Sequence, residues 1–195
     1  MHVILASASP RRQELLAIAG FSFEVMPANV DETADPTLSP PALVSHLAMK
    51  KAHHIFRILG AAGCFPEDAV VLGADTVVVL DGQVLGKPTN EADAFRMLSA
   101  LQGQAHTVYT GCALVFANGQ ARTFVSHTEV TMRALSPESI QAYINTGEPM
   151  DKAGAYGIQA RGATLVEKIV GDYFTVVGLP LCRLTQELQK GVPHA

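Results

Sequence analysis

Apolar and polar positions switch period several times along this chain. His2 to Ala6 is a short apolar run and predicts a buried strand. Ser7-Ala8-Ser9-Pro10 predicts a helix start, with Ser9 as N-cap and Pro10 at the first helical position. Leu15, Leu16, Ile18 and Ala19 give that helix an apolar face, and Gly20 ends it. Phe21 to Met26 alternates as a strand does, and the polar, Pro-containing segment from Asn29 to Pro41 predicts a loop. Ser39-Pro40 opens a long helix to Gly60, with Leu43, Leu47, Ile55 and Leu59 at helical spacing.

The middle of the chain is β-rich. Ala69 to Leu80 is apolar and β-branched, broken by Gly73-Ala74-Asp75-Thr76, so it reads as a buried strand pair with an interruption. Asp81-Gly82 predicts a hairpin turn before Gln83 to Leu85. Asn90 caps a helix over Glu91 to Gln102 that ends at Gly103. Thr107 to Phe116 and Arg122 to Met132 form a second hairpin around Asn118-Gly119. Ser136-Pro137 opens a further helix, closed at Gly147, and a loop runs from Glu148 to Gly157. Leu165 to Val170 and Phe174 to Val177 read as late strands, and Leu181 to Gln189 as a closing helix. Repeats and low-complexity linkers are absent from the sequence. The pattern is mixed α/β with antiparallel hairpins, which a doubly wound parallel sheet does not match.

Composition narrows the function classes. The 195 residues are 48% hydrophobic and 16% charged, enough apolar material for a sizeable core in one domain. A net charge of −4 argues against a protein that coats nucleic acid, so any affinity for phosphate has to come from a local cation cluster. Cys64, Cys112 and Cys182 are an odd, widely spaced set without CxxC, which fits a reducing compartment. Cys112 and Cys182 read as small core residues. The N-terminal run is too short for a signal h-region, and no segment approaches the ~18 apolar residues of a membrane span. The expectation is a cytoplasmic protein with neither nucleic acid nor membrane as partner.

Two places stand out chemically. Arg11 and Arg12 fall in the first turn of a predicted helix, where the dipole disfavours cations. Together with Ser7, Ser9 and free backbone N–H groups they make an anion site, phosphate being the natural guest; the plainer alternative is a solvated arginine pair. Asp75 lies among valines and leucines, where an unpartnered carboxylate costs several kcal/mol or more. It needs a metal, a cation or a catalytic role, unless a bulge or edge turns it to water. Lys87, in Gly86-Lys87-Pro88, reads alone as a turn lysine. The loop from Gly147 to Gln159 gathers glycine, opposed charges, an aromatic and an amide, and Gln159 offers the donor and acceptor that base recognition needs. His46, His53 and His54 share a helix without an HExxH pattern, and neither GxxxxGK[ST] nor GxSxG occurs.

Taken in order, SASPRRQELL, Val30-Asp31-Glu32, Lys50-Lys51-Ala52, GADTVV, GKP and EPMDKAGAYGIQ resemble the Maf family of nucleoside triphosphate pyrophosphatases. The resemblance runs from Leu5 to about Leu181. It implies an α/β fold with an elongated mixed sheet flanked by helices, similar to the inosine triphosphate pyrophosphatases. Residues 1–195 would form one such domain, with two lobes around a cleft. It implies hydrolysis of a nucleoside triphosphate to the monophosphate and pyrophosphate, with a divalent cation (Mg²⁺ or Mn²⁺) whose ligands the resemblance leaves open, and a homodimer. Asp75 would be the proton acceptor that activates water. Ser7, Ser9, Arg11, Arg12, Lys51 and Lys87 would surround the triphosphate, with Glu32 near metal and phosphates. Arg11, Thr76 and Gln159 match the specificity positions of the branch selective for thymidine and uridine triphosphates. The competing readings are a pyrophosphatase for another base, such as 7-methyl-GTP, and a non-catalytic nucleotide-binding regulator of cell division.

Overall fold

The computed structural model describes residues 2–66 and 68–192. The chain opens with β1 (His2–Leu5), α1 (Pro10–Ile18), β2 (Phe23–Val25) and α2 (Pro40–Ala61). It continues through β3 (Ala69–Leu80), β4 (Gln83–Leu85), α3 (Glu91–Leu101), β5 (Ala105–Phe116), β6 (Ala121–Met132) and α4 (Pro137–Ile144). Short 3-10 turns at Glu148–Asp151, Ala153–Ala155 and Ala160–Leu165 precede β7 (Val166–Gly171), α5 (Tyr173–Val177) and α6 (Leu181–Gln189). Among the described residues the strands form one seven-stranded sheet in the order β2-β1-β3-β5-β6-β7, with β4 paired to β3. β1 is parallel to β2 and β3, with Val3 opposite Phe23 and Val70. β3–β4 and β6–β7 are antiparallel, so the sheet is mixed, as the hairpin signals predict. Among the described residues no helix is long and apolar enough to cross a membrane.

Local chemistry accounts for most boundaries. The side chains of Asn90 and Ser136 accept hydrogen bonds from the backbone N–H of Asp93 and Ser139, capping α3 and α4. Glu91 and Asp93 in the first turn of α3 add the favourable sign of charge there. Ser9 takes the N-cap position of α1, but its side chain makes no capping bond.

Three expectations need correction. Ala69 to Leu80 is a single unbroken strand, because Gly73 to Thr76 keep its extended course. Phe174 to Val177 belongs to helix α5, whose start is fixed by Asp172: its carboxylate accepts from Thr175 N–H at 2.8 Å and from Thr175 Oγ1 at 2.7 Å. That local capping outweighs the strand propensity of an apolar, β-branched run. Cys182 is exposed rather than in the core, since it lies on the outer side of α6 while Leu181 and Leu184 are buried.

The chain divides into two compact units, and β3, β5 and β6 contribute residues to both. The first holds the residues up to Asp75, Thr110–Ser126 and those from Gly178 on. Its core packs α2, through Ala48, Ala52 and Ile55, against Ile4, Val71 and Val115 of β1, β3 and β5. Two glycines let that helix lie directly on strand backbone. A Cβ at Gly73 would collide with Ala48 O and stand 2.9 Å from Ala52 N. One at Gly111 would stand 2.5 Å from the carbonyl carbon of Val44. The second unit holds Thr76–Tyr109 and His127–Val177. Its core gathers Val78, Leu98, Leu101, Val130, Met132 and Tyr143.

Candidate active site

The close seating of α2 on β3 has a chemical result. Lys51, one residue before Ala52, extends its ammonium to Asp75, two residues after Gly73. Lys51 Nζ donates to Asp75 Oδ1 at 2.7 Å and lies 3.0 Å from Glu32 Oε2. The Lys51 and Asp75 side chains are 7% and 10% exposed, while Glu32 is half open to solvent at 49%. Asp75 therefore sits neither at a bulge nor in water; it is a buried carboxylate held by a cation. Such a pair is costly to break, because the survivor is left charged and desolvated.

Glu32 is delivered by a built loop. Asp31 Oδ1 accepts from Thr33 Oγ1 at 2.6 Å and from Thr33 N–H at 2.9 Å, a side-chain-closed turn. Those bonds, the hydroxyl first, hold the Asp31 carboxyl below its ordinary range. Lys50 Nζ donates to the carbonyl of Asp31 at 2.7 Å, so adjacent lysines of α2 bind the loop by its backbone and by Glu32.

The two arginines of α1 differ in environment. Arg12 is buried, against the picture of a solvated pair, while Arg11 is partly exposed. Arg12 Nε donates to the carbonyl of Gly178 at 2.9 Å and Nη1 to Ser7 Oγ at 3.1 Å. Burial lowers the Arg12 pKa, and the negative charges of Asp75 and Glu32 work in the opposite direction. Ser7 Oγ also accepts from Ser9 N–H at 3.3 Å, so one hydroxyl serves both the 7–9 turn and the guanidinium. Cys112 lies beside Arg12, its thiol pushed up to about 12 by burial, so it is a neutral neighbour. In this unit the structure brings together Ser7, Ser9, Arg11, Arg12, Glu32, Lys51 and Asp75: three cations and two carboxylates at the end of β1 and the middle of β3.

Whether these residues suit a divalent cation follows from the donor set. Among the described residues no group of three or more His, Cys, Asp or Glu side chains converges. Glu32 and Asp75 do converge on one cation, the Lys51 ammonium. Two carboxylates match Mg²⁺, which is commonly held by one or two of them together with substrate phosphates. The residues fit a cation shared with a nucleotide and make no self-standing cage.

The remaining predicted residues belong to the second unit. Thr76 is half-buried on β3, Lys87 is exposed after β4, and Gln159 is half-buried at the start of the last 3-10 turn. The segments of Lys87 and Gln159 are tied together, since Gly154 N–H donates to the carbonyl of Gly86 at 3.0 Å. Sequence reasoning missed Gly178, because a backbone carbonyl acceptor has no residue signature. It also missed Glu148, whose carboxylate accepts from two backbone N–H groups of the loop. The signal for it was an acid beside glycines in an aperiodic segment.

Comparison with known proteins bears on the family of the chain. The family model described as Maf-like protein matches residues 2–191. A Moorella thermoacetica protein named dTTP/UTP pyrophosphatase is 54% identical over 187 residues, covering 95% of this chain and 93% of its own. A Bacillus cereus protein of the same name is 47% identical over 196 residues, covering 99% and 98%. The solved structure of a HAM1 protein from Coxiella burnetii superimposes with a TM-score of 0.54 at 15% identity, over 98% of this chain and 100% of that one, which shows a shared fold. With a family match over nearly its whole length and relatives at this identity, the chain belongs to the Maf family.

Proposed function

We propose that this protein is a nucleoside triphosphate pyrophosphatase that hydrolyses dTTP and UTP to the monophosphate and pyrophosphate. The observation that carries this reading is the 54% identity, across 95% of the chain, with a relative of that name. The site chemistry supports it. Cleavage between the α- and β-phosphates needs charge neutralisation over several oxygens, an oriented water and a proton acceptor. Arg12, fixed by Gly178 and Ser7, presents a preorganised guanidinium, and Arg11 extends the cationic edge. Asp75 takes the proton of the attacking water at a carboxylate oxygen, and Lys51, on its Oδ1, orients the group.

Glu32 and Asp75 would hold a Mg²⁺ or Mn²⁺ carried in with the nucleotide, and that ion would neutralise phosphate charge. Lys87 contributes a further cation to the triphosphate. Gln159 reads the acceptor–donor–acceptor edge that thymine and uracil share, with Arg11 and Thr76 as the other positions that set base choice. A fixed amide leaves polar groups unpaired against cytosine, at ~1–3 kcal/mol for each. The functional unit in this reading is a homodimer in the cytoplasm, and light scattering tests the dimer.

The deciding experiment is a metal-dependent assay over the common and methylated nucleoside triphosphates with product analysis. Release of pyrophosphate from dTTP and UTP, much faster than from dCTP, CTP or purine nucleotides, is the expected result. Preference for GTP or 7-methyl-GTP, or binding without pyrophosphate release, would overturn the reading.

A further inference from the structure

Gln159 hangs in a loop whose two ends are closed on a single carboxylate and a single phenol. At the near end, Gly157 N–H donates to the Tyr143 hydroxyl at 3.2 Å. At the far end, Arg161 N–H donates to Glu148 Oε1 and Gly162 N–H to Glu148 Oε2, each at 3.2 Å. The ends also touch: a Cβ on Gly162 would collide with the carbonyl oxygen of Gly157 and stand 2.7 Å from the Tyr143 hydroxyl. Burial, with Glu148 as a further cause, pushes the Tyr143 hydroxyl up to about 12, so it stays protonated beside that carboxylate.

Glu148 is itself anchored. Its N–H donates to Thr146 Oγ1 at 3.1 Å, and its carbonyl accepts from Lys152 Nζ at 2.6 Å. Between the closed ends, Ala160 has φ +50°, a left-handed conformation that an alanine adopts only under constraint. The next two N–H groups are those that Glu148 binds, so its carboxylate stabilises a backbone course that the sequence would otherwise disfavour. Hydrogen bonds to an ionised acceptor are the strong kind, and here both carboxylate oxygens are used on backbone. Glu148 is thus occupied in shaping the loop.

We propose that Glu148, supported by Tyr143, is a positioning residue for pyrimidine selectivity: it fixes the Gly157–Gly162 loop and with it the Gln159 amide. The inference rests on Gln159 as the reader of the base. Discrimination by hydrogen bonding requires a reader that cannot shift to satisfy the wrong edge, and a displacement of about 1 Å is enough to lose it. Loosening the clamp therefore lowers selectivity without removing any group that touches substrate.

The test is the ratio of kcat/KM for dTTP over dCTP in four proteins: wild type, Glu148→Gln, Gln159→Ala and the double variant, with folding checked by thermal melting. Glu148→Gln keeps the side chain's shape but opposes an NH₂ to one of the two N–H donors. It is expected to lower the ratio ~10-fold, mainly through the KM for dTTP. In the Gln159→Ala background the same change should leave the ratio where Gln159→Ala put it, because the effect acts through the amide. A Glu148→Gln variant that keeps the ratio while Gln159→Ala loses it overturns the clamp and leaves the reader in place. An equal drop in both backgrounds overturns it too, since Glu148 would then act independently. A Gln159→Ala variant with full selectivity brings down the reader and the clamp together. If Glu148→Gln does not fold, Tyr143→Phe removes only the hydroxyl and makes the same comparison with a smaller expected drop.

Discussion

Arg12 Nε donates to the carbonyl of Gly178 at 2.9 Å, joining residues 166 positions apart. One guanidinium thereby ties the first helix to the segment before the last one, and its other arm reaches Ser7 Oγ. A lysine cannot reproduce this, because it lacks the planar fork.

Arg12→Lys is expected to lose about 2 kcal/mol of stability, the scale of hydrogen bonds from a charged donor, and to lower kcat/KM for dTTP. Arg11→Ala, at a half-exposed position, should weaken turnover and blur base choice with little change in Tm. Thermal melts beside steady-state kinetics separate the two; equal melting temperatures for both variants would contradict the structural role of Arg12.

Asp75→Asn should fold and lose turnover by ~10²–10⁴-fold, the usual contribution of general-base catalysis. Lys51→Met is expected to be the less stable protein, by about 3 kcal/mol or more, because it strands Asp75 in its buried position. Adding Asp75→Asn to Lys51→Met should recover part of that loss. Denaturant titration of the three variants checks the coupling, and strictly additive effects would mean the pair is energetically independent.

Gly73→Ala places a methyl group against Ala48 O and Ala52 N. The expected cost is at least ~1–3 kcal/mol, with a fall in turnover as α2 is pushed off the strand. Gly60→Ala is the control on the same helix: among the described residues nothing lies within 4 Å of its Cβ, so the change should be neutral or stabilise by up to about 1 kcal/mol. Similar melting temperatures for the two variants would refute the close-packing argument.

His106 supplies a pH signature. Its Nε2 is 2.6 Å from the Tyr156 hydroxyl, its Nδ1 is buried without a hydrogen-bond partner among the described residues, and burial lowers its pKa to about 4. Between the ordinary value of 6.5 and about 4 the unfolded chain binds a proton that the folded one refuses. Stability should therefore be flat in this residue's contribution above pH 6.5 and fall by roughly 3 kcal/mol as pH drops to 4. His106→Phe should lose that part of the slope in urea titrations at several pH values. An unchanged difference between pH 7 and pH 4 would show that His106 is not the titrating group.

Much of this was legible because it is local. Ser39-Pro40, Ser136-Pro137 and Asn90 announce helices through chemistry within one turn, and Asp81-Gly82 announces a hairpin in the same way. Asp75 could be singled out because a charge among valines has few innocent explanations. Lys51 was named only through the resemblance, as a triphosphate residue; its pairing with Asp75 was not legible, since it depends on a helix resting on a strand 24 residues away. Phe174 to Val177 misled because its apolar pattern outweighed the capping signal of Asp172, three positions before Thr175. Glu148 was read as one charge among several, because its two acceptors serve N–H groups that carry no side-chain label.

Gly73 and Gly111 leave the seating of α2 on β3 and β5 to contacts of main chain. Where helix and strand meet without intervening side chains, the separation that the Lys51 side chain has to span to reach Asp75 is gauged by van der Waals radii of backbone atoms. Exchanges of leucine, isoleucine or methionine elsewhere in the core can be absorbed without altering that gauge, whereas one methyl group at either glycine cannot. The hydrolytic chemistry should accordingly be robust to wide sequence drift and brittle at two positions. A chain remodelled to accept another base can change the Gln159 loop without touching this gauge, as long as those two places stay empty of side chain.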